Sequence, residues 1–127
     1  AVQLHGDETP QDIDNIDLPV IKAFRVDDEF DYGVMNQYKK CTFLLDTFNK
    51  NEFGGTGEKF NWNKIPKEIK SKIILAGGVS IENLENIYKQ INPAAIDVSS
   101  SLEMEPGKKD KKKVELFFKK LNELRKL

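Results

Sequence analysis

The stretch TFLLDTFNKNEFGGTGEKFNW, residues 42–62, decides how the rest of the chain is interpreted. It opens with an apolar run that predicts a β-strand and that ends at the carboxylate of Asp46. A polar connection with glycines at positions 54, 55 and 57 follows, and a helix is predicted from Trp62. A strand, an acid at its C-terminal end and a glycine-rich loop are the parts of a covered active site in a parallel α/β protein. The same residues also fit a strand and a loop in which Asp46 only caps a turn.

The composition is that of a single globular domain over residues 1–127, with 39% hydrophobic residues and a net charge of −1. This near-neutral balance disfavours a nucleic acid or a membrane surface as partner, because neither would be attracted electrostatically. Cys41 is the only cysteine, which is typical of a reducing compartment and predicts a cytoplasmic protein. The chain starts inside an apolar run at Ala1, without Met, so we expect it to be part of something longer.

Strand-like runs alternate with helix signals along the whole chain. The predicted strands are residues 1–5, 19–24, 42–46, 72–76 and 94–98. Helices are predicted after Thr9 and Pro10, over residues 30–38 where Phe30, Val34 and Tyr38 recur every four residues, from Trp62, from Ser80 as N-cap, and over residues 114–124. Strand followed by helix, repeated five times, predicts an α/β fold with a parallel sheet.

The alternation of side chains within the strands favours a barrel over an open sheet. Each strand has one apolar face, and the other face carries polar groups near its C-terminal end, among them His5, Lys22, Asp46 and Asp97. An open sheet covered on both sides would need two apolar faces, whereas the upper interior of a (βα)-barrel is the floor of its active site. A complete barrel needs eight strands and at least ~200 residues. We therefore expect either another fold or a barrel from which three βα units are missing.

Two loops contain the residue types that bind an anion. Gly77 and Gly78 follow one predicted strand and lead into a helix, and Ser99 and Ser100 follow the next strand. Consecutive loops of this kind, after the last two strands of a barrel, form the recurrent phosphate site of that fold. A tight strand-to-helix turn would also explain the two glycines, but the neighbouring serines favour a phosphate site.

Several single residues are candidates for chemistry at the same end of the sheet. Asp46 is the best candidate for proton transfer. Asp97 either orients sugar hydroxyls or makes a structural hydrogen bond, and a lone histidine such as His5 is more often a core residue than a catalyst. Lys22 is expected to point inward and to pair with a carboxylate. Cys41 lies at the start of its strand, far from Asp46, where packing explains it better than nucleophilic chemistry.

The motifs in this order resemble phosphoribosylanthranilate isomerase, a single-domain (βα)8 enzyme of tryptophan biosynthesis. The resemblance covers essentially the whole chain, which would correspond to the fourth strand through the eighth helix of that barrel. It rests on VQLHG at 2–6, LLDT at 44–47 with GGTG at 54–57 and FNW at 60–62, AGG at 76–78, DVSS at 97–100, Glu103 and PGKKD at 106–110.

The resemblance implies an Amadori rearrangement of N-(5-phosphoribosyl)anthranilate to 1-(2-carboxyphenylamino)-1-deoxyribulose 5-phosphate, without metal or organic cofactor. In that reaction an acid protonates the furanose ring oxygen and a base removes the C2 proton. By resemblance the acid is Asp46, the ribose-side contact is Asp97, and His5 is a pocket histidine near the substrate. The phosphate ligands implied are Gly77, Gly78, Ser99 and Ser100.

The chain departs from the family pattern in three places. The family's general base is a cysteine at the end of the first strand, and an arginine after the second strand holds the anthranilate carboxylate. Neither strand is present in these 127 residues. Ser101 stands where the family usually has a glycine, a residue that would permit a positive φ.

These departures leave alternatives open. We expect the chain alone to catalyse poorly and to require a pairing partner, either the missing N-terminal barrel segment or a second copy, because two sheet edges would otherwise be exposed. The rival functions are another phosphate-binding barrel enzyme, of the indole-glycerol-phosphate synthase or ribulose-phosphate epimerase type, and a non-catalytic half-barrel that serves as an assembly module.

Overall fold

Five parallel strands form one sheet in the order in which they occur in the sequence. The computed structural model describes residues 1–47 and 60–126. The strands are β1 (Val2–Leu4), β2 (Val20–Arg25), β3 (Cys41–Asp46), β4 (Ile74–Ala76) and β5 (Ala95–Ile96), and each is hydrogen-bonded to the next. Parallel neighbours in sequential order, joined by helical crossovers, are the arrangement of a (βα)-barrel, and the predicted α/β class is confirmed.

Short helices and turns connect the strands. The α-helices are α1 (Pro10–Asp14), α2 (Lys67–Lys70), α3 (Leu84–Gln90) and α4 (Lys111–Leu124), and 3-10 helices cover Tyr32–Gln37, Trp62–Lys64 and Ser100–Leu102. Strands β6 (Glu103–Glu105) and β7 (Lys108–Lys109) form a separate antiparallel pair before α4. Among the described residues, no helix is both long enough and apolar enough to cross a membrane.

The core lies on the face of the sheet that carries the helices. Leu45 and Leu75 are completely buried, and residues of α3 and α4 such as Leu84 and Phe117 belong to the same apolar cluster. The side chains of the neighbouring residues in each strand point to the opposite face. That opposite face is open at both edges of the sheet, where Gln3 of β1 and Ala95 of β5 are exposed.

The side chain of Lys22 lies on the opposite face of β2 from the one expected. In the strand register Lys22 is paired with Phe43, whereas Arg25 is paired with Asp46, so Lys22 points to the helix-covered face and not inward. It is 2% exposed, and its ammonium donates to the Gly6 carbonyl at 2.7 Å and to Glu8 Oε2 at 2.9 Å. The predicted pairing with a carboxylate is therefore confirmed, and the predicted face is wrong.

Three predicted helices differ from the structure. The helix predicted from Trp62 is divided into the 3-10 helix Trp62–Lys64 and α2. Over residues 30–38 only a 3-10 helix forms, and it is capped by Asp31, whose carboxylate accepts from the Gly33 amide at 2.8 Å. Ser80 does not cap α3, since its amide donates to the side chain of Asn83 at 2.9 Å and the helix begins only at Leu84. By contrast, Thr9 caps α1 as predicted.

Candidate active site

The predicted acid lies on the inner face of the sheet at the C-terminal end of β3. Asp46 is paired in register with Ala76 at the end of β4, and the chain continues from Asp46 into the buried Thr47. The Thr47 hydroxyl donates to the carbonyls of Ala76 and Gly77, at 3.2 and 3.1 Å. This side chain therefore fixes the end of β3 to the loop that follows β4. The predicted loop glycines at positions 54–57 lie outside the described residues.

The Gly77–Gly78 turn exposes backbone amides to a cavity. Both residues have positive φ, 80° and 64°, a region that disfavours any side chain. Their carbonyls accept from Thr47 and from the Asn83 amide, at 3.1 and 2.7 Å. Their own amides donate to no acceptor within the part of the chain that the structure describes. Unpaired amides at the end of a strand are donors available to an anion.

A cavity of about 320 Å³ joins the two predicted anion loops to the predicted acid. Its lining includes Asp46, Gly77, Gly78, Asp97, Ser99 and Ser100. Asp97 follows β5 and is held there by its own amide, which donates to the Leu75 carbonyl at 2.8 Å. The ends of the strands thus bring two carboxylates, two glycines and two serines to the same cavity.

A second cavity of about 170 Å³ adjoins the first and shares Asp46, Ala76 and Asp97 with it. His5 lines this second cavity together with Arg25. All the predicted site residues are therefore brought to one end of the sheet, and none lies elsewhere. Their individual chemical roles stay predictions. Among the described residues, no three His, Cys, Asp or Glu side chains form a group that could hold a metal ion.

Arg25 is the lining residue that sequence reasoning missed. The predicted strand ended at residue 24, one position too early, and the inward position in that strand had been given to Lys22. Ala23, two residues before Arg25, is paired with Leu44, which lies on the same face of the sheet as Asp46. Arg25 therefore lies on that face as well. The alternation would have identified Arg25 if the strand had been extended by one residue.

The backbone at Ser101 does not require a glycine. Among the described residues only Asn92 combines a side chain with a positive φ, so the Ser101 backbone does not need the left-handed region. Ser101 lies in the 3-10 helix after β5, and its hydroxyl donates to the Val79 carbonyl at 2.6 Å. This bond joins the serine loop to the loop of Gly77 and Gly78.

Comparison with known proteins decides between the barrel families. Residues 1–120 match the family model described as N-(5'phosphoribosyl)anthranilate (PRA) isomerase. The chain belongs to this family. The N-(5'-phosphoribosyl)anthranilate isomerase of Thermoanaerobacter pseudethanolicus is 44% identical over 127 residues, which are 98% of this chain and 62% of that protein. The match favours neither the indole-glycerol-phosphate synthase nor the ribulose-phosphate epimerase alternative.

Solved isomerases of the family have the same fold. The crystal structure of phosphoribosyl anthranilate isomerase from Thermotoga maritima is 35% identical, with a TM-score of 0.79 over 95% of this chain and 60% of that chain. A phosphoribosyl anthranilate isomerase in complex with reduced 1-(o-carboxyphenylamino)-1-deoxyribulose 5-phosphate is 31% identical, with a TM-score of 0.76 over 95% of this chain and 58% of that chain. The chain thus spans about three fifths of the length of these isomerases.

Proposed function

We propose that this chain carries the acid, the ribose contact and the phosphate site of an enzyme of tryptophan biosynthesis that isomerises N-(5'-phosphoribosyl)anthranilate. One observation carries the proposal: Asp46, Asp97 and the two anion loops line the same cavity. Family membership supports the same activity. A similar isomerase is known with a reduced aminoketose phosphate bound, which is the class of product that the reaction forms.

The substrate phosphate occupies the end of the cavity formed by the two loops. The amides of Gly77 and Gly78 and the hydroxyls of Ser99 and Ser100 are hydrogen-bond donors, and phosphate oxygens are acceptors only. The Gly78 carbonyl is held away from the anion by its bond to Asn83. Binding the phosphate there directs the ribose toward the carboxylates of Asp46 and Asp97.

Asp46 acts as the general acid that opens the sugar. It donates a proton to the furanose ring oxygen, the bond between that oxygen and C1 breaks, and C1 and the amino nitrogen form a Schiff base. Removal of the C2 proton then gives an enolamine, which becomes the ketone when C1 takes up a proton and the C2 hydroxyl loses one. Asp97 accepts hydrogen bonds from ribose hydroxyls, and His5 is a pocket histidine near the substrate.

The general base comes from outside these 127 residues. Cys41 begins β3, at the end opposite to Asp46, so it cannot reach the same cavity. Burial raises the pKa of the Cys41 thiol, which reduces the fraction present as the nucleophilic thiolate. The described residues therefore account for binding and for proton donation, and the proton abstraction step needs a further segment.

That further segment is an N-terminal part of the barrel, which makes this chain the C-terminal portion, about five βα units of eight. Among the described residues, β1 and β5 are each paired on one side only, and the inner face at both edges is exposed. An N-terminal segment would pair with both edges and close the barrel, which removes the exposed edges. A second copy of the chain is the alternative partner. We expect the protein to act in the cytoplasm.

Isomerase assays of two polypeptides test this proposal: the 127-residue chain, and the longest natural polypeptide that contains it. We expect turnover of N-(5'-phosphoribosyl)anthranilate and rescue of a tryptophan auxotroph from the longer polypeptide, and little from the chain alone. Full activity of the chain by itself would contradict the missing base. Inactivity of both, with a folded protein, would favour a non-catalytic half-barrel.

A further inference from the structure

A lysine ammonium lies against the serine loop of the cavity. Lys109 belongs to β7, in the antiparallel pair before α4, and its Nζ donates to the Ser99 carbonyl at 3.0 Å and to Ser99 Oγ at 3.1 Å. Ser99 itself lines the cavity that contains Gly77, Gly78 and Asp46. A positive charge is thus held in contact with Ser99, a residue that lines this cavity.

Glu103 holds this ammonium in place. Its Oε1 atom accepts from Lys109 Nζ at 2.6 Å, and its Oε2 atom accepts from the Gly107 amide at 3.2 Å. These two bonds, that of Lys109 first, keep the pKa of the Glu103 carboxyl below its ordinary value. The Glu103 carbonyl is bound as well, by Lys113 Nζ at 2.7 Å. The Lys109 ammonium therefore contacts the Glu103 carboxylate and Ser99 at the same time.

The chemistry of the two groups determines the direction of the Ser99 hydroxyl. A lysine ammonium has donors and no acceptor, so Ser99 Oγ accepts in this contact. The single hydrogen of the hydroxyl then remains to be donated to another group. The Ser99 carbonyl is already satisfied by Lys109 and by the Leu102 amide at 3.1 Å, which fixes the backbone of the loop.

We propose that Lys109, anchored by Glu103, is a positioning residue for phosphate: it orients the Ser99 hydroxyl as a donor toward the cavity and adds positive charge behind it. The inference rests on the proposed function, since it requires that the cavity binds a phosphate group. Lys109 acts through Ser99, and no reacting atom of the substrate needs to touch it. A charge-assisted bond of this kind contributes more than one between neutral groups.

The neighbouring lysine provides a matched control. Lys108 pairs with Glu105 at 3.1 Å, where both side chains are more than half exposed, and it makes no contact with Ser99. Exposed ion pairs of this type contribute little to stability. Lys108 and Lys109 thus have the same chemistry and adjacent positions, and they differ in their contact with the serine loop.

The test measures inorganic phosphate as a competitive inhibitor of the isomerase, in the longest natural polypeptide that contains this chain. For Lys109→Met we expect the inhibition constant of phosphate and the KM of the substrate to rise roughly tenfold, with a much smaller change in kcat, because a charged hydrogen-bond donor is lost. Lys109→Arg keeps the donor and should restore most of the affinity. For Lys108→Met both constants should stay within about twofold of the unaltered protein.

The outcomes separate this inference from the proposed function. The role of Lys109 would be overturned if Lys108→Met and Lys109→Met had equal effects. It would also be overturned if Lys109→Met lowered the Tm and left phosphate inhibition unchanged, and in both cases the proposed function would stand. Absence of competitive inhibition by phosphate in the unaltered protein would overturn both the phosphate site and the inference. Selective loss of phosphate affinity in Lys109→Met, recovered by arginine, is the result that supports it.

Discussion

Arg25 and Asp46 occupy paired positions on the adjacent parallel strands β2 and β3. Paired residues point to the same face of a sheet, and both side chains line the smaller cavity, with His5 and Asp97. The Arg25 guanidinium forms no hydrogen bond or ion pair within residues 1–47 and 60–126. It therefore places a positive charge beside the proposed acid, in the cavity whose lining does not include the phosphate loops.

Arg25→Met should reduce kcat/KM for N-(5'-phosphoribosyl)anthranilate by roughly threefold to tenfold, because a cation at the mouth attracts an anionic substrate. The dependence of kcat/KM on ionic strength should become weaker as well. Arg125→Met is the control, since Arg125 lines a different cavity, between α3 and α4. Steady-state kinetics at low and high salt make the comparison, and equal losses in both variants would contradict a local effect of Arg25.

Asp46→Asn should lower kcat at least about a hundredfold, because an amide cannot donate the proton that opens the furanose ring. The inhibition constant of inorganic phosphate should change little, since the phosphate ligands belong to other loops. Asp17→Asn, at an exposed position before β2, serves as the control. If Asp46→Asn retained near-full turnover, the assignment of the acid would be wrong.

Gly78→Ala should destabilise the protein by ~1–2 kcal/mol, which is the cost of a left-handed conformation for a residue with a side chain. Its φ of 64° is imposed by the turn between β4 and α3, so the alanine must strain that turn or change it. Either result moves the amides of the phosphate site, and phosphate inhibition should weaken. Urea unfolding and inhibition kinetics measure the two effects.

Asn92→Gly is the matched comparison for the glycine turn. Asn92 also has a left-handed backbone, with φ of 49°, but it follows α3 and lies away from the candidate site. Asparagine tolerates that conformation, and glycine relieves it while adding entropy to the unfolded chain, so stability should change by less than ~1 kcal/mol while phosphate inhibition stays the same. Weakened phosphate inhibition in Asn92→Gly would show that the readout is not specific to the cavity.

Local signals were sufficient to locate the strands and most of the residues at their ends, though not Arg25. The run before Asp46 and the Gly77–Gly78 pair each identify a strand end from adjacent residues, and parallel strands bring such ends together. The position of Asp97 at the same mouth follows from the same rule. This is why the candidate site was predictable although the connections between its strands were not.

Contacts between distant residues explain the errors. Lys22 was placed inward because an isolated polar residue in a strand usually avoids the core, yet Gly6 and Glu8, sixteen and fourteen residues earlier, satisfy its ammonium on the covered face. The four-residue spacing of Phe30, Val34 and Tyr38 predicted a helix, but the rings of Phe30 and Tyr38 pack on Phe24 instead. Neither set of contacts can be predicted from the spacing of residues within one segment.

The Lys22–Glu8 pair predicts how stability depends on pH. The hydrogen bond from Lys22 is the largest cause that keeps the pKa of Glu8 below its ordinary value in the folded protein. A carboxyl whose pKa is lowered by folding stabilises the protein above its unfolded pKa, and that contribution is lost as the pH falls through the folded value. The free energy of unfolding should therefore decrease below about pH 4.5 as Glu8 is protonated.

Glu8→Gln removes this dependence and leaves the buried Lys22 ammonium without its counter-charge. We expect a lower Tm at pH 7 and a flatter profile between about pH 5 and pH 3. Lys22→Met in the same background should recover part of the loss, because it removes the uncompensated buried charge. Thermal unfolding of the unaltered protein and of these two variants at several pH values tests this. A Glu8→Gln profile that still falls as steeply as that of the unaltered protein would show that another carboxylate is responsible.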